Sequence, residues 1–358
     1  MASPLDISVA EARAIVLRVS RCNGWHEPEL EATTDPRVLE SIANLRRHLA
    51  DTVQTYVSLI FLVVLFWLIP SSIAEDIGSV RGRFILELTQ NVEDCSFAVA
   101  NSHHQTRWLS FEVHPERIIV ESNQDGFNEN DVSQICRTGR SWKRQQHGFV
   151  GEKGIGFKAV FQVASRVHIQ SNAFSFYFVY RSDGTVTERM GIVTPLLADD
   201  PIPLDRRPLT RMTLTPNNTR YENLVAHFDK VHPTLLLFLS KIQEIKITAH
   251  RQLRGKTITT FSKEASWEAT PTNLTLLIKT VEEEVEVLGI DPEISRYYIF
   301  RYQITGLSED EARPERNGCE VVLAFQVDES DRPMRPTQYD VFAYLPVGNF
   351  GFNVSFML

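Results

Sequence analysis

Three residues of the segment ELTQNVED, namely Glu87, Asn91 and Asp94, have side chains that together can manage a water molecule and a hydrated cation. Their spacing of i, i+4 and i+7 places them on one stripe of an α-helix. A carboxylate can orient or deprotonate a water. An amide oxygen one turn further on can ligate Mg2+, a hard cation that prefers oxygen. An ordinary solvated helix face uses the same residue types, so the stripe acquires meaning only from what surrounds it.

A second segment, GFVGEKGIGFKAVF (148–161), offers the complementary chemistry. It has glycines at 148, 151, 154 and 156 and lysines at 153 and 158. It is not a GxxxxGK[ST] loop, and GxGxxG does not occur, so neither common phosphate or dinucleotide fingerprint applies. The pattern present is GxxGxGF opening a helix. Glycines there let backbone N–H groups approach an anion, and a helix N-terminus adds favourable partial charge. Six Lys/Arg residues (Arg137, Arg140, Lys143, Arg144, Lys153, Lys158) face a single acid, Glu152, between Arg137 and Lys158. In a chain of net charge −8 this local surplus points to an anionic ligand. A flexible surface loop is the plainer alternative.

Hydrophobic periodicity gives the elements that must position these residues. Residues 9–21 and 36–51 read as amphipathic helices and 83–100 as the helix carrying Glu87, Asn91 and Asp94. RWLSFEVH (107–114) and RIIVES (117–122) alternate like paired strands joined by a turn at Pro115–Glu116. SNQDGFNENDVSQICRTG reads as a loop and then a short helix. A helix near 155–164 follows, then strands at 166–171, 174–181 and 211–216. YENLVAHFDKVHPTLLLFLSKI is helical with an interruption at His232–Pro233. The remainder is strand-rich: EIKITAH, KTITTFSKE, LTLLIKTVEEEVEVL, YYIFRYQIT, CEVVLAFQV and YDVFAYLPV. This order is not a doubly wound parallel sheet; it predicts an α+β fold, a mixed or antiparallel sheet with helices on one face.

The 358 residues suffice for two domains, and 43% hydrophobic and 23% charged residues are ordinary for a globular protein. The acidic balance disfavours nucleic acid as a partner. Cys22, Cys95, Cys136 and Cys319 are far apart, which argues against a zinc knuckle or disulfide framework and favours a reducing compartment, cytoplasmic or nuclear. The N-terminal residues lack a basic segment leading into an apolar run, so no secretory leader is expected. No charge occurs between Asp51 and Glu75. That stretch allows three readings: a membrane span, a buried extra element, or an unspliced intron whose start is encoded at Val57–Ser58. The sequence therefore divides into an N-terminal helical segment (1–56), the apolar insert (57–74), a domain carrying both chemical segments (75–245) and a strand-rich domain (246–358).

Taken together and in order, ELTQNVED, the two strands, SNQDGF, the basic loop, GEKGIGFKAVFQVASRV and Leu209–Thr210 resemble the ATP-binding domain of the GHKL superfamily. That superfamily includes the Hsp90, type II topoisomerase, MutL and histidine-kinase ATPases. The nearest likeness is to the Hsp90-like modules of sacsin-like and NO VEIN-like proteins, over roughly 80–245. The resemblance implies a Bergerat-type sandwich that binds Mg-ATP and hydrolyses it slowly, in a chaperone-like role with a protein client. It implies Glu87 as general base, Asn91 as the Mg2+ ligand, and Asp94 as a contact near the ribose or adenine. Gly151, Lys153, Gly154, Ile155, Gly156, Phe157 and Lys158 would form the phosphate loop, residues 128–150 a lid, and Thr210 a support of the adenine site. The family's DxGxG box is SNQDGF here. Aligned on Gly126 and Phe127, its aspartate position is Ser122 and its first glycine Gln124, so Asn123 or Asp125 would supply the acceptor. That departure keeps a second expectation open: a scaffold that retains the fold and has a degenerate nucleotide site. A histidine kinase is disfavoured because a phospho-acceptor helix is not evident. The tail ends early in what resembles the second domain of these proteins, as in a fragment.

Overall fold

The computed structural model describes residues 7–23, 82–136, 156–180, 191–217, 220–251, 255–266, 272–282, 293–305, 318–334, 340–343, 345–349 and 355–357. The expected helix at 36–51, the apolar insert 57–74 and most of the lid at 128–150 lie outside these residues. Among the described residues no helix is long and apolar enough to cross a membrane.

Helix α1 (Val9–Cys22) begins at a capping box. Ser8 Oγ accepts from Glu11 N, and the Glu11 carboxylate accepts from Ser8 N at 2.9 Å. That closes two backbone donors the first turn leaves open. Its stripe Ala12, Val16 and Val19 is buried, as the periodicity predicts.

The stretch expected to be one helix over 83–100 is two. Helix α2 (Arg83–Glu93) stops at Asp94, and α3 (Ala98–Ser102) starts four residues later. The cause is a carboxylate from the SNQDGF loop, which follows the two strands after this stretch. Asp125 accepts from the Ala98 and Val99 N–H groups at 2.8 and 2.9 Å, and its own N–H donates to Ser96 O. A new helix N-terminus is thereby nucleated where a continuous helix would have run on.

Strands β1 (Trp108–Val113) and β2 (Ile118–Ser122) form the expected antiparallel pair. Helix α4 (Glu129–Cys136) follows the SNQDGF loop. The helix expected near 155–164 is a 3-10 helix, Gly156–Gln162, leading into β3 (Ala164–Ser171) and β4 (Phe174–Val179). The two-residue β5 (Leu196–Leu197) and then β6 (Thr210–Pro216) complete this half. Helices α5 (Tyr221–Phe228) and α6 (Leu235–Phe238) flank the break at His232–Pro233. Then come β7 (Glu244–Arg251), β8 (Gly255–Ser266), β9 (Thr272–Glu282), β10 (Glu293–Thr305), β11 (Gly318–Val327), β12 (Asp340–Ala343), β13 (Leu345–Asn349) and β14 (Ser355–Met357).

All belong to one mixed sheet in the order 13-12-14-11-10-9-8-7-1-2-6-3-4-5. The fold is α+β, as expected. Two of its pairings are parallel, β1 with β7 and β12 with β14. The first joins the helix-bearing half to the strand-rich tail, so the sheet runs unbroken through the compositional change near 245. Alternate residues Leu109, Phe111, Val113, Ile118, Val120, Ile245 and Ile247 face the core. The helices cover this face: Phe84 of α2 and Phe228 of α5 pack edge-on, and Phe228 also meets Phe111. Phe157 and Phe161 of the 3-10 helix pack against Phe178 of β4.

Candidate functional site

Helix α2 buries Phe84, Ile85, Leu88 and Val92 on the sheet. That fixes its rotation and turns the Glu87–Asn91–Asp94 stripe to the flank. Glu87 and Asn91 are half-buried, and Asp94 is only 8% exposed. The Asn91 amide is the notable group: its Nδ2 is buried and has no hydrogen-bond partner among the described residues. A half-turn about χ2 exchanges the two ends of an amide, so Oδ1 can occupy the same place. Leaving such a group unmet costs about 1–3 kcal/mol.

Two further pieces close on α2. The 3-10 helix that Gly156 opens packs directly against it. The 123–127 loop is tied to the residues just after it through Asp125 and Ser96. The structure thus brings together helix α2 with the residues just after it, the SNQDGF loop and the end of the glycine segment. Gly151, Lys153, Gly154 and Ile155 lie outside the described residues. Phe157 is buried among aromatic rings. Lys158 is buried too, and its Nζ donates to Ile135 O at 2.6 Å and to Ile192 O. Burial pushes its pKa down to about 8, against a smaller opposing effect of Cys136. The Cys136 thiol is pushed up to about 12 by its own burial.

In the loop, the side chains of Asn123, Gln124 and Asp125 are all engaged in hydrogen bonds. Asn123 Oδ1 accepts from Trp108 N at 2.9 Å and its Nδ2 donates to Thr106 O at 2.8 Å, which pins the start of β1. Asp125 caps α3. Both are engaged with backbone. Gly126 stands at φ 92°, against Asn172 of the β3–β4 turn, whose Nδ2 donates to Asp125 O.

The sequence reading missed a buried hydroxyl row. Ser122 of β2 pairs with Thr210 of β6, and Thr210 with Ser171 of β3. All three are essentially unexposed. Gln124 Nε2 donates to Thr210 Oγ1 at 3.0 Å, Thr210 Oγ1 meets Ser171 Oγ at 2.7 Å, and Phe127 N–H donates to Ser171 Oγ. Whichever hydroxyl gives its proton to the other, one O–H remains to donate elsewhere. The signal was available in principle, since Ser171 and Ser122 end strands flanking the one that Thr210 begins. It required register, which periodicity alone does not supply.

On the opposite face His168, Ser175 and Asp200 have the residue types of a nucleophile triad. Asp200 Oδ1 lies 3.4 Å from the same Nε2 that meets Ser175 Oγ at 3.0 Å. A triad needs the acid on the other ring nitrogen, so this cluster is a surface hydrogen-bond group.

The fold and site define an α+β mixed-sheet protein in which the SNQDGF loop is bonded both to the residues just after α2 and to the ends of β3 and β6. No family model matches the chain. It is 31% identical over 186 residues to Protein NO VEIN of Arabidopsis thaliana. That stretch is 48% of this chain and 7% of the plant protein's length. A NO VEIN-like relationship therefore holds for about half of the chain.

Proposed function

We propose that residues 75–245 form a nucleotide-binding module of the GHKL type, with a Bergerat-type sandwich, that takes Mg-ATP. The carrying observation is the buried, unpartnered amide of Asn91, one turn from Glu87 on a helix against which the Gly156 segment packs. An amide oxygen there suits Mg2+, which keeps most of its waters and accepts few protein ligands. Bound Mg2+ would supply charge neutralisation for the phosphates. Glu87 would take a proton from the attacking water, and Asp94 would hold the sugar or base edge. The spare O–H of the Ser171–Thr210 pair offers a donor to a base-ring nitrogen or to a water beside it. Any hydrolysis is slow and coupled to closure of 128–150, with a protein client as the chaperone-like partner.

A second reading has its own observation. Asn123 and Asp125 are both spent on backbone contacts, which leaves no free carboxylate in the loop where the family reads adenine. A scaffold that keeps the fold without binding nucleotide follows from that.

Isothermal titration of the full chain with ATP, with and without Mg2+, separates the two. The nucleotide reading expects Mg-dependent binding that weakens in Asp94→Asn. It also expects turnover that is lost in Glu87→Ala while binding persists. Absence of heat at high protein concentration leaves the scaffold.

A further inference from the structure

The other face of the sheet carries a cluster unrelated to the α2 site. Glu112 and His114 alternate on β1 and its extension, so both side chains leave the face opposite Phe111 and Val113. His250 approaches from β7, where Glu112 pairs with Thr248 and Val113 with Ala249. The parallel register thus sets an imidazole beside a carboxylate across the strand gap. His250 Nε2 lies 2.9 Å and His114 Nε2 3.1 Å from one oxygen, Glu112 Oε1. The three donor atoms lie within 4.8 Å of one another. The rings are stacked, with centroids 4.0 Å apart and planes 18° from parallel. His114 Nε2 is buried, and despite its short distance to Glu112 it makes no aligned hydrogen bond.

We propose that Glu112, His114 and His250 bind a first-row divalent transition-metal ion, with zinc as the best match. The two ring nitrogens and the carboxylate oxygen gather three ligand atoms at one place on the sheet, and an imidazole whose proton sits on Nδ1 presents a lone pair there from Nε2. A metal ion satisfies all three groups at once. An imidazole pair with one carboxylate suits zinc, copper or nickel better than magnesium or calcium. A tetrahedral ion with ligands at about 2.0–2.2 Å keeps its donor atoms roughly 3.3–3.6 Å apart, so the two imidazole–carboxylate spacings of 2.9 and 3.1 Å need to open by a few tenths of an ångström. The rings are nearly parallel, so at least one must turn about χ2 to bring both lone pairs onto a common ion. Arg117 and Lys256 stand near enough to oppose a cation, and a fourth position is left to water.

The test is titration of the full chain with Zn2+ by calorimetry and with Co2+ by visible absorption. The expected result is one equivalent bound with weak d–d bands and without the intense near-ultraviolet band of thiolate ligation. The His250→Ala and Glu112→Gln variants should each lose that equivalent while keeping the circular dichroism of the parent. No bound equivalent, a thiolate band from the cysteines, or full retention in both variants overturns the proposal. If His250→Ala does not fold, nitrogen-15 shifts of the parent's histidines decide. Zinc must move the Nε2 signals of His114 and His250 and of no other pair. ATP binding plays no part in these outcomes.

Discussion

Gly126 shows how tightly the candidate nucleotide loop is built. A Cβ on it would lie 1.9 Å from Asn172 Nδ2, the atom that donates to Asp125 O, and its φ of 92° disfavours any L side chain. Gly126→Ala should therefore cost roughly 2–4 kcal/mol, read as a lowered urea midpoint, from backbone strain plus the displaced buried amide. Lys158 leads to a pH prediction. Its pKa falls from 10.5 to about 8 on burial, so between those values the unfolded chain binds more protons than the folded one. Stability then increases as pH rises from about 8 toward 10.5, and the penalty is fully present below 8. Lys158→Met should flatten that part of the stability–pH curve in urea melts taken across the range; an unchanged slope would refute the assignment. Sequence showed Lys158 beside a glycine loop, where lysines meet phosphates. It did not show which way the side chain turns, because Phe157, Val160 and Phe161 around it are buried only in three dimensions. Asn91 was legible as a ligand type, whereas its lack of a protein partner was visible only in the packed structure.

At the scale of elements, α2 is held at its C-terminal end by Glu93. This buried carboxylate accepts from Ser240 N and Oγ, Lys241 N and Ile242 N at 2.6–2.9 Å, joining α2 to the segment that enters β7. Glu93→Ala leaves those donors unmet and should cost roughly 2–4 kcal/mol. Glu93→Gln, which keeps one acceptor, should lose less; thermal melts of the two variants make the comparison. Element type was mostly readable: the β1–β2 hairpin, α4, the interruption at His232–Pro233 and the strands of the tail all follow from period and turn residues. The break of 83–100 into α2 and α3 was not. Its helical stripe continues through Cys95 and Val99, and the residue that ends it, Asp125, is 27 positions from the Ala98 N–H it captures. The segment opened by Gly156 is likewise a 3-10 helix, a distinction that apolar spacing over seven residues does not resolve.

Over the whole molecule the core is continuous. Phe84, Phe111, Phe228, Ile245, Phe261, Tyr297 and Val322 belong to one buried cluster that runs from α2 to β11. Urea unfolding followed by far-ultraviolet circular dichroism and by tryptophan fluorescence should therefore give coincident transitions. Two separated transitions would mean that the strand-rich tail has an independent core. The order of elements had indicated α+β without showing which strands join the halves, because a parallel pairing between distant strands leaves no mark in either strand's own pattern.

The parallel β1–β7 pairing also has a consequence for biosynthesis. Arg107 at the head of β1 bonds Gln243 across 136 residues. At about 5–20 residues per second, a ribosome needs roughly 7–27 s to deliver that partner. Through that interval the nascent chain carries β1 with one side unmatched, and its Leu109, Phe111 and Val113 have only β2 beside them. An open strand edge of this kind recruits other chains, so the emerging polypeptide is a natural client for cotranslational chaperones until β7 leaves the exit tunnel.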